Sequence, residues 1–244
     1  MTRAGRILGV AVLTVALAGC GATKVVTTTT TTPAAKFTLV KVYFLHDDKV
    51  QPVRRTVSET NDLPTAALAA LVRGPTEAER KSLGVTSVVQ EIEGVTVSGS
   101  VAHVPGFDRA SLAQIVYTLT QFSSLKAVEM NSRRYTRKDF EDETPTILVE
   151  WPLPEQSVAR PLRVTGTANT FEATFEYELV DSAGKVIAHH FVTATSGSGT
   201  RGTFDITASY PAGHAGPGKL VVYESSAKDG SRIHVVEIPV QLGR

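Results

Sequence analysis

The sequence predicts two folded parts in series: an α+β unit with helices on a mixed sheet, then an all-β sandwich. Three observations predict them. Apolar residues recur at helical spacing only in the first part, at Ala67, Leu68, Leu71 and Val72 and again at Leu112, Ile115, Val116 and Leu119. From Thr146 on that spacing disappears and strand-like runs follow one another at short intervals. Between the two lies Arg133–Pro145, RRYTRKDFEDETP, a basic block followed by an acidic one with no apolar period. The boundaries drawn are 37–135 for the first unit, 136–145 for a charged linker and 146–244 for the sandwich.

The chain begins with neither. Arg3 and Arg6 are followed by an unbroken apolar run from Ile7 to Leu17, which ends in Leu17-Ala18-Gly19-Cys20. A basic start, roughly 7–15 apolar residues and small residues at the end form the layout of a secretory signal. A transmembrane helix needs roughly 17–25 apolar residues, so this run is too short for one. Leu-Ala-Gly-Cys resembles the bacterial lipobox, in residue type and in position. The resemblance implies cleavage of residues 1–19 between Gly19 and Cys20 and a diacylglyceryl group on the Cys20 thiol. Two acyl chains, at about 0.8 kcal/mol per buried CH₂, make a stable anchor. Residues 20–36 then read as a tether, since six threonines in a row and Pro33 offer no apolar face. Extended, it reaches roughly 50 Å.

Composition narrows the functional classes. Loss of the signal removes two cations and no acid, which takes the formal charge from +1 to −1. A nearly neutral chain gives no electrostatic case for nucleic-acid binding. Cys20 is the only cysteine, so no internal disulfide forms and both units stand on packing alone.

In the first unit, Phe37–Leu45 reads as a strand buried on both faces. Asp47-Asp48-Lys49 turns into Val50–Val57, an edge strand because Pro52 cannot donate to a ladder. A helix follows over Pro64–Val72, stopped by Gly74-Pro75, and a short one begins at the capping box Thr76–Glu79 and ends at Gly84. Strands over Val88–Val97 and Ser100–Val104, a helix over Ala110–Phe122 and a strand over Leu125–Met130 complete it. LAALVRGPTEAER (Leu68–Arg80) and LAQIVYTLTQF (Leu112–Phe122) resemble the GerMN domain of sporulation and spore-germination proteins and of many lipoproteins. The resemblance covers about Phe37–Arg134. It departs at His103-Val104-Pro105-Gly106, where the family runs an acidic Val-Asp-Leu-Ser.

Seven runs make up the second unit: Ile147–Trp151, Leu162–Ala168, Phe171–Val180, Lys185–Thr195, Thr203–Tyr210, Lys219–Ser225 and Arg232–Leu242. In the third run Phe171, Ala173, Phe175, Tyr177 and Leu179 share one face, while Glu172, Thr174, Glu176 and Glu178 take the solvent face. Seven strands in about 98 residues suggest an immunoglobulin-like sandwich without its cysteine pair. PLRVTGTANTFEATFEYEL (Pro161–Leu179), FVTATSGSGTRGTFDI (Phe191–Ile206) and LVVYESSAKDGSRIHVVEIPVQL (Leu220–Leu242) resemble the immunoglobulin-like domain of bacterial spore germination, the second type of the Gmad family. The match departs at Glu155-Gln156, where a glycine is usual. The two domains behind a lipobox resemble a recurrent lipoprotein architecture of Gram-positive bacteria.

No catalytic set emerges. Gly197–Gly202 fits GxGxxG, but a strand follows where a pyrophosphate site needs a helix. Ser225–Lys228 fits SxxK, yet Lys228-Asp229-Gly230 reads as a hairpin turn and the partner motifs are missing. Asp139, Glu141, Asp142 and Glu143 lack the spacing of a calcium loop. The six histidines, His46, His103, His189, His190, His214 and His234, form no HExxH, and His189 and His190 point to opposite faces of one strand.

The expectation is a non-catalytic lipoprotein without cofactor or metal site, anchored on the outer side of the cell membrane. It would bind a protein or a cell-wall polymer of the envelope and serve assembly in sporulation, germination or wall growth. An enzyme acting on the wall or on a small metabolite, and a solute-binding lipoprotein, are the alternatives. The first lacks a catalytic set and the second lacks paired α/β lobes.

Overall fold

The computed structural model describes residues 36–59 and 62–243. The signal segment, the Gly19–Cys20 junction and the tether lie outside the described residues. Strand β1 (Phe37–His46) pairs along its whole length with β2 (Lys49–Ser58). Asp47 and Asp48 both sit at positive φ (48° and 60°), the backbone twist that suits a two-residue hairpin. Helix α1 (Leu63–Val72) starts at Asp62, whose carboxylate accepts the Thr65 N–H at 3.1 Å. Helix α2 (Glu77–Leu83) starts at the Thr76–Glu79 capping box and ends at Gly84, at φ 64°.

Next come β3 (Thr96–Ser98), β4 (Val101–His103), α3 (Arg109–Leu119), β5 (Ala127–Met130) and β6 (Arg133–Tyr135), with sheet order β3-β4-β5-β6. β4 and β5 are parallel, and α3 supplies the crossover that parallel strands require. The strand expected over Val88–Val97 shrinks to its last residues. Gln114 Oε1 takes the Val88 N–H at 3.2 Å and Ser87 Oγ takes that of Val89 at 3.3 Å, so side chains hold donors a ladder would need.

Helix α3 organises this half. Its face of Leu112, Ile115, Val116 and Leu119 enters the core as the spacing predicts. A polar stripe, Gln114 and Thr118 on the helix and Gln121 in the turn just past its end, meets the free edge of β1. Gln121 bonds both the N–H and the carbonyl of Lys41 (2.8 and 2.5 Å). Thr118 accepts from Tyr43 N–H at 3.1 Å, and Gln114 donates to the Tyr43 carbonyl at 3.1 Å. The helix thus satisfies the edge that a neighbouring strand would otherwise take.

The segment 136–145, expected as a solvated linker, is instead a 3-10 helix over Arg137–Glu143 packed on the first core. Phe140 is fully buried, 6.0 Å from the Tyr135 ring and with the Arg109 guanidinium 5.0 Å above it. Its acids have cationic or backbone partners: Asp139 accepts the Thr136 N–H, Glu143 and the exposed Asp142 face Arg109, and Glu141 faces Arg201.

The C-terminal part is an immunoglobulin-like β-sandwich. Its strands are β7 (Ile147–Trp151), β8 (Gln156–Val158), β9 (Leu162–Ala168), β10 (Thr174–Asp181), β11 (Val186–Thr193), β12 (Gly202–Ala208), β13 (Gly216–Ser225) and β14 (Arg232–Leu242). They form sheets of order β11-β10-β13-β14-β8 and β12-β9-β7. β8, unforeseen, runs parallel to the end of β14. Phe175, Tyr177, Leu179, Leu220, Val222 and Phe204 fill the space between the sheets, and the Phe175 and Phe204 rings meet edge to face at 4.9 Å. Phe171 does not join them. It opens a 3-10 turn in which Glu172 and Ala173 take positive φ, and its side chain is exposed. β7 serves both cores, with Ile147 and Val149 in the sandwich and Leu148 in the first half. Among the described residues no helix is long and apolar enough to cross a membrane.

Candidate functional site

Two polar clusters stand out once the fold is laid down. The first is where the halves meet. Arg137 lies between two rings, its guanidinium 5.4 Å from Tyr43 and 4.7 Å from Tyr117. It donates to Glu150 at 2.6 Å, to Thr120 Oγ1 at 2.9 Å and to the Tyr117 carbonyl at 3.2 Å. The Tyr43 hydroxyl also donates to Glu150, and Lys41 lies 3.8 Å away. Burial opposes the charge on Glu150, but Arg137 and Lys41 outweigh it and hold the carboxyl below its ordinary range. Burial pushes the Tyr43 hydroxyl well up, so it remains a donor.

A second tie crosses the same joint. Arg201 donates to Glu141 at 2.8 Å, to the Pro145 carbonyl at 2.8 Å and to Thr167 at 3.2 Å, while the Asn169 amide reaches Glu141 at 3.0 Å. Arg201 comes from the glycine-rich segment between β11 and β12. A Cβ on Gly197 would sit 2.4 Å from Ala173 N, and one on Gly202 the same distance from Ser196 N. Those glycines allow close backbone approach, and a strand follows them as the sequence implies. Beside the joint a cleft of about 820 Å³ opens, lined by Val50, Pro52, Val149, Val235 and Ile238 among others.

The second cluster covers the outward face of the five-stranded sheet. Glu176 and Glu178 point outward as alternation requires, yet each is only 7 % exposed. Glu176 accepts from Ser225 Oγ at 2.5 Å and faces His189 Nε2 at 2.6 Å and the Tyr223 hydroxyl at 3.2 Å. Glu178 takes both Arg232 terminal nitrogens (2.5 and 3.0 Å) and lies 3.3 Å from the Tyr223 hydroxyl. Arg232 stacks 4.3 Å over the Tyr223 ring. Beside them Glu224 accepts the Phe171 N–H at 2.9 Å and pairs with His234 at 2.9 Å. Burial disfavours charge on Glu176, but its hydrogen bonds prevail and lower its pKa. Burial first, then the two carboxylates, push Tyr223 up to about 12.

The expected motifs scatter. Ser225 joins the outward cluster, but Lys228 lies in the β13–β14 turn. His46, His103 and His214 each face a single carboxylate (Asp47, Glu129 and Asp181), and His190 packs against Tyr177. Among the described residues no group of three or more His, Cys, Asp or Glu could hold a metal ion. Sequence reasoning missed Arg137, Glu150, Arg201 and Tyr223. The one available signal was acids on a strand whose neighbours carry Arg, His and Tyr at matching registers, and register is not visible before pairing.

An α+β unit joined to an immunoglobulin-like sandwich defines the class of the chain. Residues 41–132 match the family described as "Sporulation and spore germination", and residues 146–231 match the "Immunoglobulin-like domain of bacterial spore germination". No curated protein and no solved structure matches the chain.

Proposed function

We propose that this chain is a non-catalytic, lipid-anchored module of the cell envelope that binds or assembles an extracytoplasmic complex linked to spore germination. Both matched families are domains of sporulation and germination, which supports the process. The observation that carries the non-catalytic part is the order of the outward cluster. Ser225, Glu176 and His189 have the composition of a hydrolytic triad, but the carboxylate lies in the middle, bonded to both. Nucleophilic serine needs an imidazole next to it to take the proton, and a carboxylate with a lowered pKa is a poor substitute. Its polar groups are spent on one another, as in a surface held in shape.

The anchor reading rests on the Leu17–Cys20 resemblance. Cys20→Ala is expected to abolish incorporation of a palmitate analogue and to move the protein from membrane to medium. A mutant that stays as firmly bound as the wild type overturns that part. For assembly, crosslinking in cells is compared between the full chain and one lacking residues 37–134, a protein partner or wall polymer being expected with the full chain alone. Turnover of a wall fragment by the pure protein, with no partner found, would favour the enzyme. The cleft at the joint supports a second reading, binding of a small envelope solute, for which a saturable ligand and no partner would speak.

A further inference from the structure

Most free sheet edges of the described residues are blunted. Gln114, Thr118 and Gln121 cover β1. β2 carries Lys49, Pro52, Arg54 and Arg55, and β6 is three residues long with Arg133 and Arg134. β3 and β8 are also three residues each. β7 has five residues with Glu150, and β12 carries Asp205, paired with Arg163 at 2.5 Å. Beyond its short pairing with β8, β14 carries Arg232, Glu237 and Pro239 and an irregularity at His234, φ 53°. Short, charged, proline-bearing or bulged edges are how sheets avoid pairing with strangers.

β11 is the exception. Its sequence, VIAHHFVT, holds no Lys, Arg, Asp, Glu or Pro over eight residues, and no strand pairs with it on the side away from β10. Its one bulge falls at Ile187, and Ala188–Thr193 keep unbroken register with β10. The chain turns toward β12 only afterwards, where Thr195 N–H donates to the Thr203 carbonyl at 2.9 Å. Phe191 is 71 % exposed, the highest among large apolar side chains of the described residues, and Val186 is 44 % exposed.

We propose that β11 is the contact between two copies of this chain, paired antiparallel edge to edge across a two-fold axis normal to the sheet. A charged edge would steer and select an unlike partner, and this edge has no charged residue to do so. A two-fold contact requires only that a surface complement itself. Antiparallel pairing of one strand with its copy meets that need, because outward residues face outward residues and Phe191 and Val186 of both copies lie on one continuous surface. Six to eight paired residues at about 3.4 Å each span roughly 20–27 Å, short of a standard interface, so the pair is weak and is trapped by crosslinking.

The test co-expresses two differently tagged full-length chains, with the photoreactive p-benzoylphenylalanine replacing Phe191 in one. The expected result is an adduct bearing both tags whose crosslink maps to β11 of the other copy. Val186→Lys combined with Thr193→Lys, both at exposed positions, lowers its yield about tenfold, since position 186 of one copy lies opposite position 193 of the other and cations then face each other at both ends of the pairing. The same photoreactive group at Phe37, 64 % exposed on the other half, yields no such adduct. The proposal is overturned by absence of the adduct, by capture of a different protein at position 191, by a yield that the paired lysine substitutions leave unchanged, or by equal trapping from position 37.

Discussion

Glu176 shows how far parity alone misleads at the scale of one residue. Alternation places it outward, where removal of a solvated acid would be almost free. Its carboxylate instead receives Ser225, His189 and Tyr223 under cover of the neighbouring strands. Glu176→Ala is therefore expected to cost about 1–3 kcal/mol by leaving donors unpaired, against about 3–5 kcal/mol for Phe175→Ala in the core. Urea denaturation of both variants checks this, and a cost near zero for Glu176→Ala would mean that water replaces its partners. Glu150 makes the matching case in acid. Its folded pKa lies below its ordinary value near 4.5, so its contribution is complete above that value and is lost as pH falls through the lower folded one. Stability measured from roughly pH 5 to 3 should fall more steeply in the wild type than in Glu150→Gln. Parallel slopes would show that Glu150 titrates alike in both states.

At the scale of elements, Gln114 carries a sharper expectation than any apolar residue of α3. It is fully buried and bonded to the Tyr43 carbonyl and to Val88 N–H. Gln114→Leu keeps the size and removes both bonds, so about 1–3 kcal/mol should be lost and amide exchange at Val88 should quicken. Exchange unchanged at Val88 would count against this role. What was legible here followed from local chemistry: the Asp47-Asp48 turn, the Thr76–Glu79 box, Gly84 and the period of α3. What was not legible depends on distant partners. Gln114 and Thr118 look like the wet side of an amphipathic helix until β1 is set against them. Arg137–Glu143 looks like a solvated charge run until Arg109 and Arg201 arrive from elsewhere in the chain. β8 is a strand only because β14 passes beside it.

For the whole molecule the decisive residue is Leu148. A sandwich with its own core would be expected to fold as the fragment 145–244, and most of its core residues belong to that fragment. Leu148, however, points out of it and is 2 % exposed within the first core, while Arg137–Glu150 and Arg201–Glu141 tie the halves at two further places. Cutting the chain at residue 145 would expose an apolar side chain, leave Glu150 without Tyr43, Lys41 and Arg137, and leave Arg201 without Glu141. The full chain should therefore unfold in one transition by calorimetry and by near-ultraviolet dichroism alike, with the fragment melting at a lower temperature. Leu148→Ala should cost the full chain about 2–5 kcal/mol, as loss of a buried leucine does, yet change the fragment little. Two separate transitions in the wild type, or equal losses in chain and fragment, would mean that the halves are coupled only by the peptide bond between them.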